Sequence, residues 1–422
     1  MKPLNIGLIS TRLAGTDGVS LETRKWLEVL NGLGHSCFYF AGESDWEDVA
    51  GIVVPQAFYR DDEIKNVHDQ LFNKKIRSVS ETQWIEEKTV VLKKHLVDFI
   101  KKYHIDLIIT ENALTIPLNI PLGLAITEQI AESGIPTIAH HHDFSWERKR
   151  FLVNCVNDYI QMAFPPTFDT IQHVVINSQA RQQLALRNGV GAMLIPNVMN
   201  FHQPPATPDD YNADLKEQLG LAPDEIFVLQ PTRIVERKGI EHAIELVQRM
   251  GKKARLVISH ASGDEGEDYA KRISTYAKLM GVQLICAEKY FGTRRGRNSR
   301  GEKIYSIADA YIQSDIVTYP SIFEGFGNAF LEAVFFHKPI IVNNYSIYST
   351  DIKPKGFKVI EFDDYVTQAT VDQTLAILAD KETAQQSADI NFELAKHYFS
   401  YDVLKTKLKI LLANAFGTND IL

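Results

Sequence analysis

Short apolar runs alternate with amphipathic stretches along most of the chain. Residues 4–10 form a continuous apolar run, and a helical pattern follows over 20–33. Residues 35–40 and 52–55 read as two further strands. Across 82–103 the positions Ile85, Thr89, Leu92, His95, Leu96 and Phe99 recur at helical spacing, with Lys93, Lys94, Lys101 and Lys102 on or near the outer face. Residues 105–110 and 136–141 are buried-type strands flanking a helical stretch at 122–133. A strand at 174–177, a helix at 178–188 and a short strand at 193–195 complete the series. Residues from about 56 to 80 are polar and are assigned to no element.

A break follows. Residues 196–208 hold Pro196, Pro204, Pro205 and Pro208, the composition of a linker with a turn at each end. The pattern then restarts, with strands at 226–230, 255–259, 282–286, 316–319 and 339–343 and helices after most of them. Strand–helix alternation implies a doubly wound, mostly parallel sheet. The expected fold class is therefore α/β, with two Rossmann-like domains at 1–198 and 199–400. Ligands bind outside the carboxyl ends of parallel strands, so both domains are expected to turn their loops into a shared cleft.

Composition narrows the function. A length of 422 residues suits two domains of roughly 200 each. With 45% hydrophobic and 23% charged residues the chain is globular, and a net charge of -8 argues against a nucleic-acid or anionic-membrane binder. Cys37, Cys155 and Cys286 are too far apart for a zinc knuckle, and an odd count makes a poor disulfide framework. The N-terminus reads as a strand and not a signal peptide, and no window has the run of 18 or more apolar residues a membrane span needs. The expected compartment is cytoplasmic. Nothing in the pattern sets an oligomeric state.

The chemistry gathers at strand ends. After the strand at 316–319, Pro320 stops extension, Gly325 and Gly327 allow a tight turn, and helical spacing begins near Asn328. Free amides at a helix N-terminus attract an anion, and glycines remove side chains that would hold a phosphate off. Glu332 falls about one turn into the helix, where a carboxylate can accept from a ribose diol. Glu324 precedes the turn. At 231–239, PTRIVERKG places Arg233 and Lys238 across another strand–helix loop, and at 11–19 Gly15 and Gly18 mark a loop that is not a GxGxxG. Residues 139–146, AHHHDFSW, end a strand. There His140 and His142 share a face and His141 looks the other way. Three histidines and an Asp invite a zinc reading, but no fourth ligand is evident; loop or core histidines are the plainer alternative. Glu147, Arg148, Lys149 and Arg150 follow as a solvated helix start or a cationic acceptor site, which Arg60, Lys74, Lys75 and Arg77 could join. The basic stretch 293–301 reads as a flexible loop.

The string at 320–333, PSIFEGFGNAFLEA, resembles the E-x7-E signature of the retaining glycosyltransferases of family 4. The string at 231–239 resembles that family's G-R-x-x-x-x-K-G, with Pro231 and Thr232 in place of the residues usual before the Arg. The resemblance spans nearly the whole chain and implies the GT-B architecture, in which the last helix, here 401–416, crosses back to the first domain. It implies that Glu324 contacts the donor sugar and that Glu332 holds the ribose. It further implies that Gly15, Arg233, Lys238, Phe326, Gly327 and Asn328 bind the donor diphosphate, and that His142 and Asp143 act near the anomeric centre. Arg148 and Arg150 are the acceptor candidates. More loosely, the chain is similar to the mannosylglucosyl-3-phosphoglycerate synthases, which points to a small hydroxyl acceptor bearing phosphate or carboxylate. The expected activity is metal-independent hexosyl transfer with retention, needing no cofactor, from a nucleotide sugar such as UDP-glucose or GDP-mannose. A nucleotide-sugar epimerase and a non-catalytic sugar-nucleotide binder are the alternatives.

Overall fold

Apolar runs become parallel strands wherever helices cover both faces of a sheet. The computed structural model describes residues 2–15, 17–251, 253–261 and 267–417. The chain divides into two units, Met1–Val198 with Tyr401–Leu422, and Met199–Ser400.

The first unit holds strands β1 (Asn5–Ser10), β2 (Ser36–Ala41), β3 (Gly51–Val53), β4 (Leu107–Glu111), β5 (Thr137–His141), β6 (Ile171–Val175) and β7 (Ala192–Leu194). They form one parallel sheet in the order β3-β2-β1-β4-β5-β6-β7. Successive side chains point to opposite faces, so Leu8 joins Trp26, Leu27 and Leu30 of the helix Gly18–Gly32 on one side. Ile9 joins Leu92, Leu96 and Phe99 of the helix Val79–Tyr103 on the other. That second helix opens on a capping box between Ser78 and Glu81 and closes at His104, whose φ of 50° ends the helical run. The helix Tyr401–Phe416 returns to the first face, where Leu404, Leu408, Leu411 and Leu412 are buried beside Leu8 and Leu107. The Tyr401 hydroxyl donates to Glu28 at 2.8 Å, and the Gln172 amide donates to the Leu411 carbonyl at 2.8 Å.

Within 56–80 the chain forms the helix Asp62–Leu71, capped by Asp61. Ile64, Val67 and Leu71 stand at helical spacing; Ile64 and Leu71 are buried, and half-buried Val67 packs into the cluster that holds Leu71. Lys74 pairs with Glu81 at 2.5 Å and Arg77 pairs with Asp158 at 2.7 Å, so both cations have local partners.

The second unit holds β8 (Ile226–Gln230), β9 (Ala254–Ile258), β10 (Leu284–Cys286), β11 (Phe291–Gly292), β12 (Gly296–Arg297), β13 (Lys303–Ser306), β14 (Ile316–Tyr319), β15 (Ile340–Asn343) and β16 (Ile360–Phe362). The main sheet is parallel, in the order β10-β9-β8-β14-β15-β16. Within 293–301, expected as a flexible loop, Gly296–Arg297 form β12 of the small sheet β11-β13-β12, and the residues on either side are bends and turns. Arg295 anchors it by pairing with Asp209 at 2.6 Å and with buried Asp309, while the Tyr211 hydroxyl donates to the Gly296 carbonyl at 2.8 Å. An arginine answered by two acids from distant segments orders the chain that carries it, which local composition does not reveal.

Both main sheets reverse their strand order once, between β1 and β4 in the first unit and between β8 and β14 in the second. In open α/β sheets such reversal points, outside the carboxyl ends of the strands, are where ligands bind. No described helix is long and apolar enough to cross a membrane.

Leu408 is fully buried. Leu408→Ala is expected to destabilise the protein by about 2–5 kcal/mol through lost burial and a residual cavity. Urea unfolding followed by tryptophan fluorescence reads this out, and a loss below about 1 kcal/mol, the range of exposed positions, would contradict the packing of the last helix.

Candidate active site

In the second unit the loops after β8 and β14 meet at the reversal point. Gly239 has a φ of +60°, and a Cβ there would lie 2.2 Å from the Pro320 carbonyl oxygen, so only glycine lets the two loops approach. The Ile322 amide donates to the Arg237 carbonyl at 2.9 Å and stitches them together. Glu324 is thereby delivered, buried, between two cations: Arg237 Nη1 donates to Oε2 at 2.9 Å and Lys238 Nζ forms a close ion pair with Oε1. Burial alone would raise this carboxyl, but Lys238 and Arg237 outweigh it and hold the group at about 2. Burial likewise lowers Lys238, against the pull of Glu324. Arg233 stays exposed at the same strand end. His260 is lowered to about 4 by burial and then by the charges of Arg233 and Lys238.

Past Glu324 the chain turns at Gly327, with φ +134°, into the helix Asn328–Phe335. Tyr345 supports the turn by donating its hydroxyl to the Phe326 carbonyl at 2.8 Å. Phe326 is buried against Phe399, so its outward group is its backbone. Among the described residues nothing accepts from the amides of Phe326 and Gly327. One turn on, half-exposed Glu332 accepts from the Tyr311 hydroxyl at 2.8 Å, which fixes the carboxylate while leaving part of it open.

In the first unit the reversal point is marked by buried Glu111, the last residue of β4. Its Oε2 meets His140 Nδ1 at 2.9 Å and His142 Nε2 at 3.2 Å. The Trp26 ring stacks on His140 with centroids 4.2 Å apart, and His140 lies 4.3 Å from His142. Burial would raise Glu111, but His140 and His142 hold it at about 2. Burial lowers His140; at His142 the neighbouring Glu111 reverses the effect of burial and the group rises above its ordinary value. His141 turns the other way, to the Thr115 hydroxyl at 2.6 Å and His173 at 2.9 Å, and burial drops it well below its usual range, as a core histidine. Asn112, at φ 61°, accepts from the His142 amide at 3.1 Å and donates to Asp143 at 2.9 Å.

Glu111, His140 and His142 could hold a metal ion, with one ligand atom from each within 4.8 Å of the others. Glu111 is the third ligand type that sequence spacing did not supply. In the structure its Oε2, His140 Nδ1 and His142 Nε2 answer one another by hydrogen bonding.

Several expected residues have partners of their own. Arg148 is ion-paired with Asp143, so its charge is directed there. Arg150 is exposed, with its guanidinium 4.6 Å over the Phe151 ring. Gly15 has the positive φ a tight loop needs, and its amide donates to Asp45 at 2.8 Å; the adjoining Thr16 lies outside the described residues. The sequence reading did not single out Glu111, Asn112, Arg237 or Tyr311. Glu111 and Asn112 could have been found by extending to the strand at 105–110 the strand-end rule that flagged Arg233 and Glu324.

The model of the family "Glycosyl transferases group 1" matches residues 212–390. Mannosylglucosylglycerate synthase of Petrotoga mobilis is 33% identical over 384 residues, covering 85% of this chain and 86% of the relative. The chain belongs to the group 1 glycosyltransferases. Mannosylglucosyl-3-phosphoglycerate synthase of the same organism is 28% identical over 239 residues, which is 53% of this glycosyltransferase and 44% of the relative. A crystal structure of a glycosyltransferase from Rickettsia africae matches with a TM-score of 0.70 at 15% identity, covering 98% of this chain and 99% of that one. The fold is thus GT-B, built from two parallel-sheet α/β domains.

A Cβ at position 327 would meet the Tyr345 hydroxyl oxygen at 2.5 Å on a backbone that L-residues avoid. Gly327→Ala is expected to cost about 1–3 kcal/mol, read as a lowered Tm. Adding Tyr345→Phe should restore part of the loss by removing the clash but not the backbone strain. A wild-type Tm for Gly327→Ala alone would contradict the turn geometry.

Proposed function

We propose that this glycosyltransferase moves a hexose, with retention and without a metal ion, from a nucleoside-diphosphate sugar such as GDP-mannose or UDP-glucose to a small acceptor. The acceptor offers a hydroxyl and carries a carboxylate, as a glucosylglycerate does. The observation that carries the reading is the likeness to mannosylglucosylglycerate synthase over most of both chains. The second unit supports a donor site: Glu332, held by Tyr311, suits a ribose diol, and the amides of Phe326, Gly327 and Asn328 with Arg233 suit the diphosphate. Lys238 and Arg237 add positive charge behind Glu324, which itself suits the hydroxyls of the donor sugar. As the glycosidic bond breaks, negative charge grows on the leaving diphosphate, and fixed cations with a helix dipole stabilise that change.

Retention is part of the proposal. A carboxylate locked between two cations is a weak nucleophile, which argues against a covalent glycosyl-enzyme and leaves direct attack by the acceptor hydroxyl, proposed here on the face the diphosphate leaves. The acceptor oxygen bonds to the anomeric carbon, the bond to the diphosphate oxygen breaks, and that oxygen takes the acceptor proton. His142 and Asp143 serve the sugar and acceptor near the anomeric centre.

A panel of GDP-mannose and UDP-glucose against glucosylglycerate and its phosphorylated form tests the reading. One hexose should be added, by mass spectrometry, with the donor's anomeric configuration by proton NMR. An inverted product would overturn retention, and an isomerised donor without transfer would overturn the activity. Activity should survive EDTA; loss restored by magnesium or manganese would overturn the metal-free chemistry. Glu332→Ala should weaken free nucleoside diphosphate roughly ten- to a hundred-fold, the worth of a hydrogen bond to a charged group. Unchanged affinity by calorimetry, with the fold intact, would remove the ribose role.

A further inference from the structure

We propose that Glu111 is a positioning residue for transfer, acting through His142: it holds the imidazole by Nε2 and leaves Nδ1 as the ring atom presented to substrate. The inference rests on the proposed role of His142 near the anomeric centre. Glu111 is buried at the end of β4, opposite His140 in the β4–β5 register, so its side chain has no solvent to answer it. A buried carboxylate must find donors. Glu111 finds His140 Nδ1 at 2.9 Å and His142 Nε2 at 3.2 Å.

The chemistry of an ionised carboxylate makes this more than packing. It only accepts hydrogen bonds, so Nε2 of His142 carries a hydrogen, and the partner on one ring nitrogen decides what the other can do. Nδ1 of His142 makes no hydrogen bond among the described residues. Two further contacts remove the ring's remaining freedom. His140, sandwiched between the Trp26 ring and the His142 ring at centroid distances of 4.2 and 4.3 Å, limits tilt. Asn112 fixes the backbone by accepting from the His142 amide at 3.1 Å, and its own donation to Asp143 at 2.9 Å carries the alignment to the next residue. The same Asp143 is ion-paired with Arg148. Glu111 touches neither substrate nor reacting atoms; it sets the pose of a group that does, and small displacements there are costly in rate.

The test is a double-mutant cycle of Glu111→Gln and His142→Ala, with kcat, donor KM and calorimetric affinity for free nucleoside diphosphate measured for each. Glu111→Gln keeps the shape and loses the charge. Its kcat should fall roughly ten- to a hundred-fold, the worth of a hydrogen bond to a charged group, while donor KM and diphosphate affinity stay within about twofold. In the His142→Ala background the same substitution should cost almost nothing further, which a general loss of folding would not reproduce. Because the buried carboxylate could prove needed for folding, Asn112→Gly provides a second route. It keeps the positive φ, releases the His142 backbone, and should also lower kcat on the wild-type background alone. Equal losses on both backgrounds, or unchanged kcat in Glu111→Gln beside an impaired His142→Ala, would overturn the positioning role and leave the proposed function standing. Wild-type turnover in His142→Ala would overturn both.

Discussion

The second unit depends on one buried ion cluster. Glu324 is placed where a neutral side chain would be easier to bury, and it is tolerated because Lys238 and Arg237 reach it from a different loop. Removing one member of such a cluster leaves an uncompensated charge in the interior and costs several kcal/mol, on the order of 3–5. The loops after β8 and β14 are therefore committed to each other, and the close approach at Gly239 and the bond from Ile322 to Arg237 follow from that commitment. The cluster also divides the electrostatics. Glu324 absorbs part of the positive charge, while Arg233 stays exposed at the same strand end.

The first unit repeats the design with different chemistry. At its own strand-order reversal it buries Glu111, and the answering groups are two histidines in place of Lys and Arg. A lysine and an arginine stay charged at neutral pH, so the second-unit cluster is a fixed element. Imidazoles choose which nitrogen carries a hydrogen, so the first-unit cluster is suited to the orienting role proposed for Glu111. On the proposed function, a diphosphate calls for standing positive charge, and the breaking of a glycosidic bond calls for closely aimed groups.

Local rules reach part of this architecture. Strands 226–230 and 316–319 are legible to the residue because they are buried on both faces and bounded by sharp breakers. Glu324, Glu332 and Arg233 were visible because each follows or precedes such a strand within one loop. The helix Asp62–Leu71 was not, although Ile64, Val67 and Leu71 stand at helical spacing, because seven polar residues surround those three. The strand within 293–301 was not, because its anchor is Arg295 meeting Asp309 and, far away in sequence, Asp209. Lys238 was read as a phosphate ligand from its loop position; that Glu324 would occupy it, with Arg237 beside it, is a long-range fact. The three histidines could be sorted by strand alternation into a pair and a singleton, but Glu111, the acid that gives the pair its meaning, lies on the neighbouring strand.

On the proposed function Glu324 serves the sugar as well as answering its two cations. Substituting Glu324→Gln separates the parts, with calorimetry for free nucleoside diphosphate and turnover at saturating donor measured on one preparation. Releasing Lys238 and Arg237 from their acid should leave diphosphate affinity unchanged or tighter, while turnover falls steeply because the transition state loses the anion near its developing positive charge. A variant that bound the diphosphate more weakly and kept wild-type turnover would contradict a sugar role for Glu324.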